Sequence, residues 1–175
     1  EAMGLKLYDA ELVDLVIRES GLDPDYVRAN EENLTKGLLK TLFANSFERP
    51  YLYQSVPLEH QIYEAQERVI KRIAASEDCI ILGRNANIIL GKAPNYYHIY
   101  LHATPKWRVA QTMKEFGLSR KEAEALVSQA DNQRKATVYR RTGHTWGMAA
   151  DFNICLDVAK YGIDKSVDIL KMAIE

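Results

Sequence analysis

Three short, continuous apolar runs constrain the fold of this chain more than any other feature of its sequence. They are residues 79–82 (Cys-Ile-Ile-Leu), 98–101 (His-Ile-Tyr-Leu) and 153–156 (Asn-Ile-Cys-Leu). Each run is too short for a helix and lacks the alternation of a half-exposed strand, so each predicts a strand that is buried on both faces. Segments with helical spacing lie around them. Strands that alternate with helices indicate an α/β fold, with a parallel sheet flanked by helices.

The segments around these runs predict the other elements. Residues 5–8 form a further short strand, and Asp9 follows as the N-cap of a helix that Gly21 ends. Residues 57–75 form a long helix, because one apolar stripe recurs at helical spacing (Leu58, Ile62, Ala65, Val69 and Ile73). The last helix follows Gly162 and is expected to bury three apolar side chains, Ile163, Val167 and Leu170.

The composition narrows the classes of function. The chain has 175 residues, 47% of them hydrophobic and 27% charged, which fits one globular domain. A formal net charge of −1 gives no general attraction to nucleic acid or to anionic membranes. No apolar run approaches the roughly 20 residues that span a bilayer, and no cysteine or histidine spacing fits a metal site. Cys79 and Cys155 are expected to be buried free thiols, and the protein is expected to be cytoplasmic.

Ligands of parallel sheets bind at the carboxyl ends of the strands, so the residues that follow each strand matter most. Arg84 comes after a predicted strand and a glycine. Its guanidinium would emerge at the ligand-binding edge, where a fork of donors suits a phosphate. Arg84 could equally be a surface residue that pairs with a helix carboxylate.

A second cationic feature lies in residues 131–143. This segment has four cations against one acid, Asp131, and the cations are Arg134, Lys135, Arg140 and Arg141. Ser119 and Glu122 form a capping box that starts a helix upstream. On a helix, Arg134 and Arg141 share a face, which could form a lid over phosphates. The alternative is a solvated helix face without a ligand.

Taken together and in order, these segments resemble the cytidylate-kinase-like family. The resemblance spans nearly the whole chain and fades between residues 30 and 57. It is carried by a set of modest motifs, namely residues 5–12, 78–90, 97–103, 107–108, 117–119, 131–134, 146–147 and 153–162.

The resemblance implies an adenylate-kinase-like P-loop fold with strand order 2-3-1-4-5. It implies one kinase domain over residues 1–175, with an acceptor-binding insert at about 24–60 and a lid at about 118–147. ATP and Mg²⁺ would be co-substrates. On the acceptor side, Arg84 would bind the acceptor phosphate, and Asp9 and Asn85 would contact the acceptor. Asn85 departs from the Gly-Arg-Asp of cytidylate kinases, which leaves cytosine specificity open.

On the nucleotide side, the resemblance places Arg134, with Arg140 or Arg141, at the transferring phosphoryl group. The loop after the last strand would contact the adenine through Asp157 and Lys160. Phosphoryl transfer asks a protein mainly for positioning and charge stabilisation, so arginines are suitable residues for this step.

The 175 residues contain no Gly-x-x-x-x-Gly-Lys-[Ser/Thr] loop. We therefore expect the sequence to be part of a longer chain that supplies the first strand and this loop. Without them, we expect a gap or a differently covered edge between residues 79–82 and 98–101, and no kinase activity.

Two functions follow from the sequence. The first is an ATP-dependent phosphotransferase that acts on a nucleoside monophosphate or a similar small acceptor. The alternative is a non-catalytic P-loop relative that binds a nucleotide or a partner protein. The sequence does not predict an oligomeric state.

Overall fold

The computed structural model describes residues 4–31 and 56–174. They divide into two compact units, Glu1–Gly91 and Lys92–Glu175. Most of the acceptor-binding insert predicted at about 24–60 lies outside the described residues. Over the part of the chain that the structure describes, no helix is both long enough and apolar enough to cross a membrane.

The first unit combines a two-stranded sheet with four helices in its described part. Its elements are β1 (Lys6–Tyr8), α1 (Ala10–Ser20), α2 (Pro24–Glu31), α3 (Val56–Ser76), β2 (Cys79–Ile81) and α4 (Ala86–Leu90). The strands are parallel, and Leu7 pairs with Ile80 in the centre of the ladder. As predicted, α1 ends at Gly21, which adopts a left-handed conformation with φ 66°.

The core of the first unit forms around α3. Its predicted stripe is confirmed, because Ile62, Ala65 and Val69 are fully buried and Ile73 nearly so. Side chains of α1 and α2 complete the same cluster. Val27 of α2 is held in place by a well-formed helix start, where the Asp23 carboxylate accepts hydrogen bonds from two backbone N–H groups.

The second unit combines another two-stranded sheet with helices. Its elements are β3 (Ile99–His102), α5 (Pro105–Phe116), α6 (Arg120–Thr142), a 3₁₀ turn (Ala149–Asp151), β4 (Ile154–Asp157), α7 (Val158–Tyr161) and α8 (Ile163–Ile174). The strands are parallel, and the register runs from Ile99 opposite Ile154 to His102 opposite Asp157.

Local signals fix the ends of the helical hairpin formed by α5 and α6. The Thr104 hydroxyl accepts a hydrogen bond from the Trp107 N–H, and Gly117 ends α5 with φ 66°. The predicted capping box is confirmed: Ser119 and Glu122 bond each other's backbone N–H groups at the start of α6. Gly143 then ends α6 with φ 73°.

The predicted strands are confirmed to within one residue at each end. Parallel pairing is confirmed as well. The pairs β1–β2 and β3–β4 correspond to the neighbours 2-3 and 4-5 of the predicted order 2-3-1-4-5. Among the described residues the strands form these two pairs and not the complete five-stranded order. The structure therefore shows a mixed α/β fold with short parallel strands.

The prediction that the strands are buried on both faces is wrong. Ile80 of β2 is 41% exposed, Leu101 of β3 is 52% exposed, and the Cys155 thiol of β4 is also exposed. Cys79 is only partly buried. Over residues 4–31 and 56–174 each strand has one paired neighbour and so leaves one edge unpaired, and burial of both faces requires more cover than these strand pairs receive.

The burial predicted for the last helix is also wrong. Ile163 is 70% exposed, Val167 is 40% exposed, and Leu170 is half-buried. In α8 the fully buried residue is Ser166, whose hydroxyl donates to the Gly162 carbonyl at 2.6 Å. At about 100° per residue, Ser166 lies about 60° from Ile163 and about 40° from Leu170, so the inward face of α8 is turned toward the Ser166 side of the predicted stripe.

Candidate functional site

In the first unit, parallel pairing brings the chain segments after β1 and β2 to the same end of the sheet. Tyr8 lies opposite Ile81, and the Leu82 N–H extends the ladder to the Tyr8 carbonyl at 3.0 Å. Asp9 and the turn at residues 83–85 follow directly. The structure therefore places the three predicted acceptor residues at one sheet end, as the sequence predicted.

The turn after β2 has an uncommon backbone. Gly83, Arg84 and Asn85 all have positive φ, at 65°, 56° and 57°. Within the described residues, Arg84 and Asn85 are the non-glycine residues with positive φ. This conformation costs roughly 1–2 kcal/mol for Arg84 and less for Asn85, because asparagine adopts it more readily. Strain of this kind is concentrated at functional sites, where the surrounding structure enforces it.

Gln66 of α3 contacts this turn, although it is not among the site residues predicted from the sequence. Its side chain is fully buried among apolar neighbours, and its Nε2 amide donates a hydrogen bond to the Arg84 carbonyl. The signal was available in the sequence, because Gln66 is four residues from both Ile62 and Ile70 on the buried face of the helix. A polar side chain on such a face requires a partner.

Asp9 is confirmed at the N-cap position of α1, but its side chain does not cap the helix. The side chain makes no capping hydrogen bond, and the backbone of Asp9 has φ −130° and ψ −93°. Its carbonyl instead accepts from the Leu12 N–H at 3.3 Å. Capping therefore does not account for the carboxylate of Asp9.

In the second unit, the chain segments that follow β3 and β4 line a pocket that is open to solvent. Its volume is about 470 Å³, and its walls come from the start of α5 and the start of α7. The lining residues are Thr104, Lys106, Trp107, Ala110, Asp157, Ala159 and Lys160. The structure thus brings the two predicted nucleotide-binding residues, Asp157 and Lys160, into one site, beside an indole ring to which the sequence analysis gave no role.

Asp157 shapes one wall of this pocket. Its Oδ1 accepts a hydrogen bond from the Ala159 N–H at 3.0 Å and so starts α7. Lys160 lies on the same short helix, with its ammonium 5.9 Å from the centre of the Tyr161 ring. The pocket is therefore lined by one aromatic residue, one acidic residue and two lysines, Lys106 and Lys160.

The three predicted catalytic arginines, Arg134, Arg140 and Arg141, lie on α6. The fully buried residues of α6, Ala123, Leu126 and Ala130, are all in its first half. Arg140 and Arg141 are in the last turn, where positive charge complements the partial negative charge of the helix end.

A bidentate ion pair joins α6 to α5. The two terminal nitrogens of Arg108 each donate to one carboxylate oxygen of Asp131, both at 2.7 Å. Arg134 also approaches Asp131, at 3.5 Å, and so shares a carboxylate that Arg108 already occupies. Hydrogen bonds from Arg108 hold the pKa of Asp131 below its usual range. Arg134 is therefore partly neutralised, which supports a structural contribution beside any catalytic one.

Aromatic rings connect Arg134 to the sheet. Its guanidinium carbon lies 5.9 Å from the Trp146 ring centre, and Trp146 meets the Tyr100 ring edge-on at 6.1 Å. A Cβ on Gly147 would lie 2.9 Å from the Tyr100 hydroxyl oxygen, so only glycine fits there without a shift. Burial, followed by the charge of Asp131, raises the pKa of Tyr100.

No group of three or more histidine, cysteine or acidic residues within 4–31 and 56–174 could hold a metal ion. Mg²⁺ usually binds through one or two carboxylates together with substrate phosphates.

Comparisons with known proteins agree with these features. A model of the cytidylate kinase-like family matches residues 1–160. The chain is also similar to the crystal structure of an uncharacterized protein from Eubacterium ventriosum ATCC 27560. The two share 21% identity with a TM-score of 0.70, over 99% of this chain and 85% of the other. At that identity the similarity concerns the fold. No curated protein gives a significant match.

Proposed function

The chain belongs to the cytidylate kinase-like family, and from this premise we propose that it transfers the γ-phosphoryl group of ATP to a nucleoside monophosphate. The family suggests a nucleotide kinase-like function, and the donor and acceptor are the specific parts of the proposal. An oxygen of the acceptor phosphate forms a bond to the γ-phosphorus. The bond from that phosphorus to the β–γ bridging oxygen breaks, and ADP leaves.

The observation that carries the proposal is the pocket at the ends of β3 and β4. Its volume of about 470 Å³ suits a mononucleotide-sized ligand. We assign it to the adenine end of ATP. The indole of Trp107 offers a face for stacking, and the second carboxylate oxygen of Asp157 would accept from the exocyclic amine. Lys160 contributes positive charge near the phosphates.

The α6 arginines are assigned to the transferring phosphoryl group. Arg134, with Arg140 or Arg141, would stabilise the charge that spreads over its oxygens in the transition state. The contact of Arg134 with Asp131 is compatible with this role. Both oxygens of Asp131 already accept short bonds from Arg108, so a polyphosphate would compete well for Arg134.

The turn at residues 83–85 is assigned to the acceptor. Arg84 would bind the acceptor phosphate, and Asp9 and Asn85 would orient the nucleoside. An amide both donates and accepts hydrogen bonds, whereas an ionised carboxylate only accepts. Asn85, in place of the aspartate of cytidylate kinases, therefore makes acceptors other than cytidylate compatible with the site.

The decisive experiment measures ADP release by the intact protein with MgATP and a panel of acceptors. The panel contains CMP, dCMP, UMP, AMP and shikimate at equal concentrations. We expect turnover with at least one nucleoside monophosphate and none with shikimate. Turnover with none of the nucleotides would refute the proposed phosphotransfer.

A matched pair of lysine variants tests the pocket. Lys160 and Lys165 both place their ammonium 5.9 Å from the Tyr161 ring centre, but only Lys160 lines the pocket. We expect Lys160→Ala to raise KM for ATP about 5-fold, the usual range for one partly exposed charged contact, and Lys165→Ala to leave it unchanged. Equal effects of the two variants would argue against the assignment of this pocket to ATP.

A second candidate is nucleotide binding without transfer, and it is favoured by the contact of Arg134 with Asp131, which partly neutralises one of the arginines assigned to the transferring phosphoryl group. In that case calorimetry would detect ATP binding to the intact protein, sensitive to Lys160→Ala, while no acceptor supports ADP release.

A further inference from the structure

The left-handed turn at residues 83–85 requires support from outside itself. One backbone hydrogen bond closes it, from the Ala86 N–H to the Gly83 carbonyl at 3.0 Å. The next bonds, from Ile88 and Ile89 to the Asn85 carbonyl, belong to α4. Two consecutive non-glycine residues with positive φ persist only when the surrounding structure fixes them.

Gln66 supplies this support from the middle of α3. Its side chain is fully buried, and its amide donates to the Arg84 carbonyl in the centre of the turn. Ile62 and Ile70, one helical turn away on either side, are also fully buried and fix the position of the helix. A buried amide without its acceptor is unfavourable, so the amide and the carbonyl hold each other in place.

We propose that Gln66 is a positioning residue, which sets the place of Arg84 by holding the carbonyl of its left-handed backbone. The inference rests on the proposed function, in which Arg84 binds the acceptor phosphate. Because the backbone of Arg84 is fixed, its guanidinium binds that phosphate without a prior change in the conformation of the turn. Gln66 itself touches no substrate in this assignment and acts through Arg84.

The test is Gln66→Met, which keeps the size of the side chain and removes the donor. A misplacement of about 1 Å can cost 10²-fold in rate, and the turn retains its own closing bond, so we expect KM for the acceptor to rise about 10-fold. The kcat and KM for ATP should stay within about twofold, because Arg84 is assigned to acceptor binding alone. If Gln66→Met does not fold, Gln66→Leu is the second variant, because leucine also lacks a donor and suits a fully buried helical position.

Two controls separate positioning from general stability. Val69→Ala perturbs the same buried helix but removes no hydrogen-bond donor, and it should leave KM for the acceptor unchanged. In an Arg84→Ala background, Gln66→Met should change KM by less than about twofold, because the residue through which it acts is gone. A 10-fold rise in that background, or an equal rise in Val69→Ala, would overturn the inference.

Hydrogen exchange tests the same idea without activity. Exchange of the Ala86 amide, which closes the turn, should be about 10-fold faster in Gln66→Met than in the wild type and unchanged in Val69→Ala. If the wild type phosphorylates no acceptor, the proposed function fails, and this exchange rate alone decides the role of Gln66. Unchanged exchange at Ala86 would show that Gln66 does not hold the turn.

Discussion

The two units contain the same kind of sheet and both bury apolar side chains, but the contacts that stand out in them differ. In the first, apolar side chains form one continuous cluster around α3, and Leu12, Val16 and Ile62 are fully buried in it. In the second, the bidentate pair of Arg108 and Asp131 joins the two long helices. Rings around Tyr100 add contacts near the sheet.

This difference matches the parts that the units play in the proposed reaction. Close-packed apolar side chains hold one geometry, which suits a strained turn that presents Arg84. An ion pair depends on the charge of both partners, and its carboxylate can be shared, as Asp131 is shared with Arg134. In the proposed reaction, the first unit therefore holds the acceptor side in one geometry, and α6 is a lid helix whose ion pairs can change partners.

The largest effect is expected from Arg134 in the second unit, which shares the Asp131 carboxylate with Arg108. Arg134→Ala should lower kcat by about 10²-fold or more, because it removes one preorganised donor to the transferring group. Arg134→Lys should recover only part of the rate, since a point charge replaces a fork. Steady-state kinetics with MgATP and the best acceptor measures both.

The control for this prediction is Arg120→Ala on the same helix. The Arg120 side chain is 71% exposed and lies at the opposite end of α6. Its removal should leave turnover unchanged. Normal turnover in Arg134→Ala would instead assign Arg134 wholly to the polar contacts of the second unit.

The next effect concerns the first unit. Arg84→Ala should raise KM for the acceptor about 50-fold, as expected for loss of a charge-assisted bond to a phosphate, with little change in Tm. Arg68→Ala is the matched control, because it removes a surface arginine from a pair in which Glu19 keeps its second partner, Arg72. A fall in kcat of Arg84→Ala without a rise in KM for the acceptor would contradict the assignment of Arg84 to acceptor binding and of the α6 arginines to phosphoryl transfer.

The ion pair itself can be tested by pH. Asp131→Asn should lower the free energy of unfolding by about 2 kcal/mol at pH 7, since charge-assisted bonds are lost. The pKa of Asp131 is lowered in the folded state, so its contribution is complete above the unfolded value near 3.8 and declines as the pH falls through the folded value.

Urea unfolding at pH 7 and pH 3 measures this dependence. The difference in the free energy of unfolding between the wild type and Asp131→Asn should be smaller at pH 3 than at pH 7. The control Asp168→Asn, at an exposed position, should have nearly the free energy of unfolding of the wild type at both pH values. An equal difference at the two pH values would show that packing, not charge, joins α5 to α6.

The smallest effect concerns the two thiols. Cys155 is exposed, whereas burial, together with the nearby acids Glu77 and Asp78, raises the pKa of Cys79. Iodoacetamide should therefore modify Cys155 about 5-fold faster than Cys79 at pH 8. Mass spectrometry on Cys79→Ser and Cys155→Ser gives the two rates separately. Equal rates would show that the two sheets are equally accessible.

Much of this fold is predictable because its signals are local. The capping box of Ser119 and Glu122, the Thr104 N-cap and the glycines that end helices each depend on a few neighbouring residues. The apolar runs likewise located the strands to within one residue. The pocket could be anticipated because carboxyl ends of parallel strands meet at one edge, which brought Asp157 and Lys160 into one site.

The remaining features depend on tertiary contacts that local patterns do not encode. The bond from Gln66 to the Arg84 carbonyl joins residues 18 apart, and the pair of Arg108 and Asp131 joins residues 23 apart. The predicted burial of the strands was wrong for a related reason. An apolar run shows that a strand can be buried, but exposure of Leu101 depends on what covers the sheet.

The uneven burial of α6 has a mechanical consequence. Its buried residues end at Ala130, so the second half of the helix is less deeply packed than the first half. At 1.5 Å per residue, a tilt of about 10° around Ala130 moves the backbone of Arg134 by about 1 Å and that of Arg141 by about 3 Å. A small adjustment where α5 meets α6 is thus amplified along the helix to its last arginine.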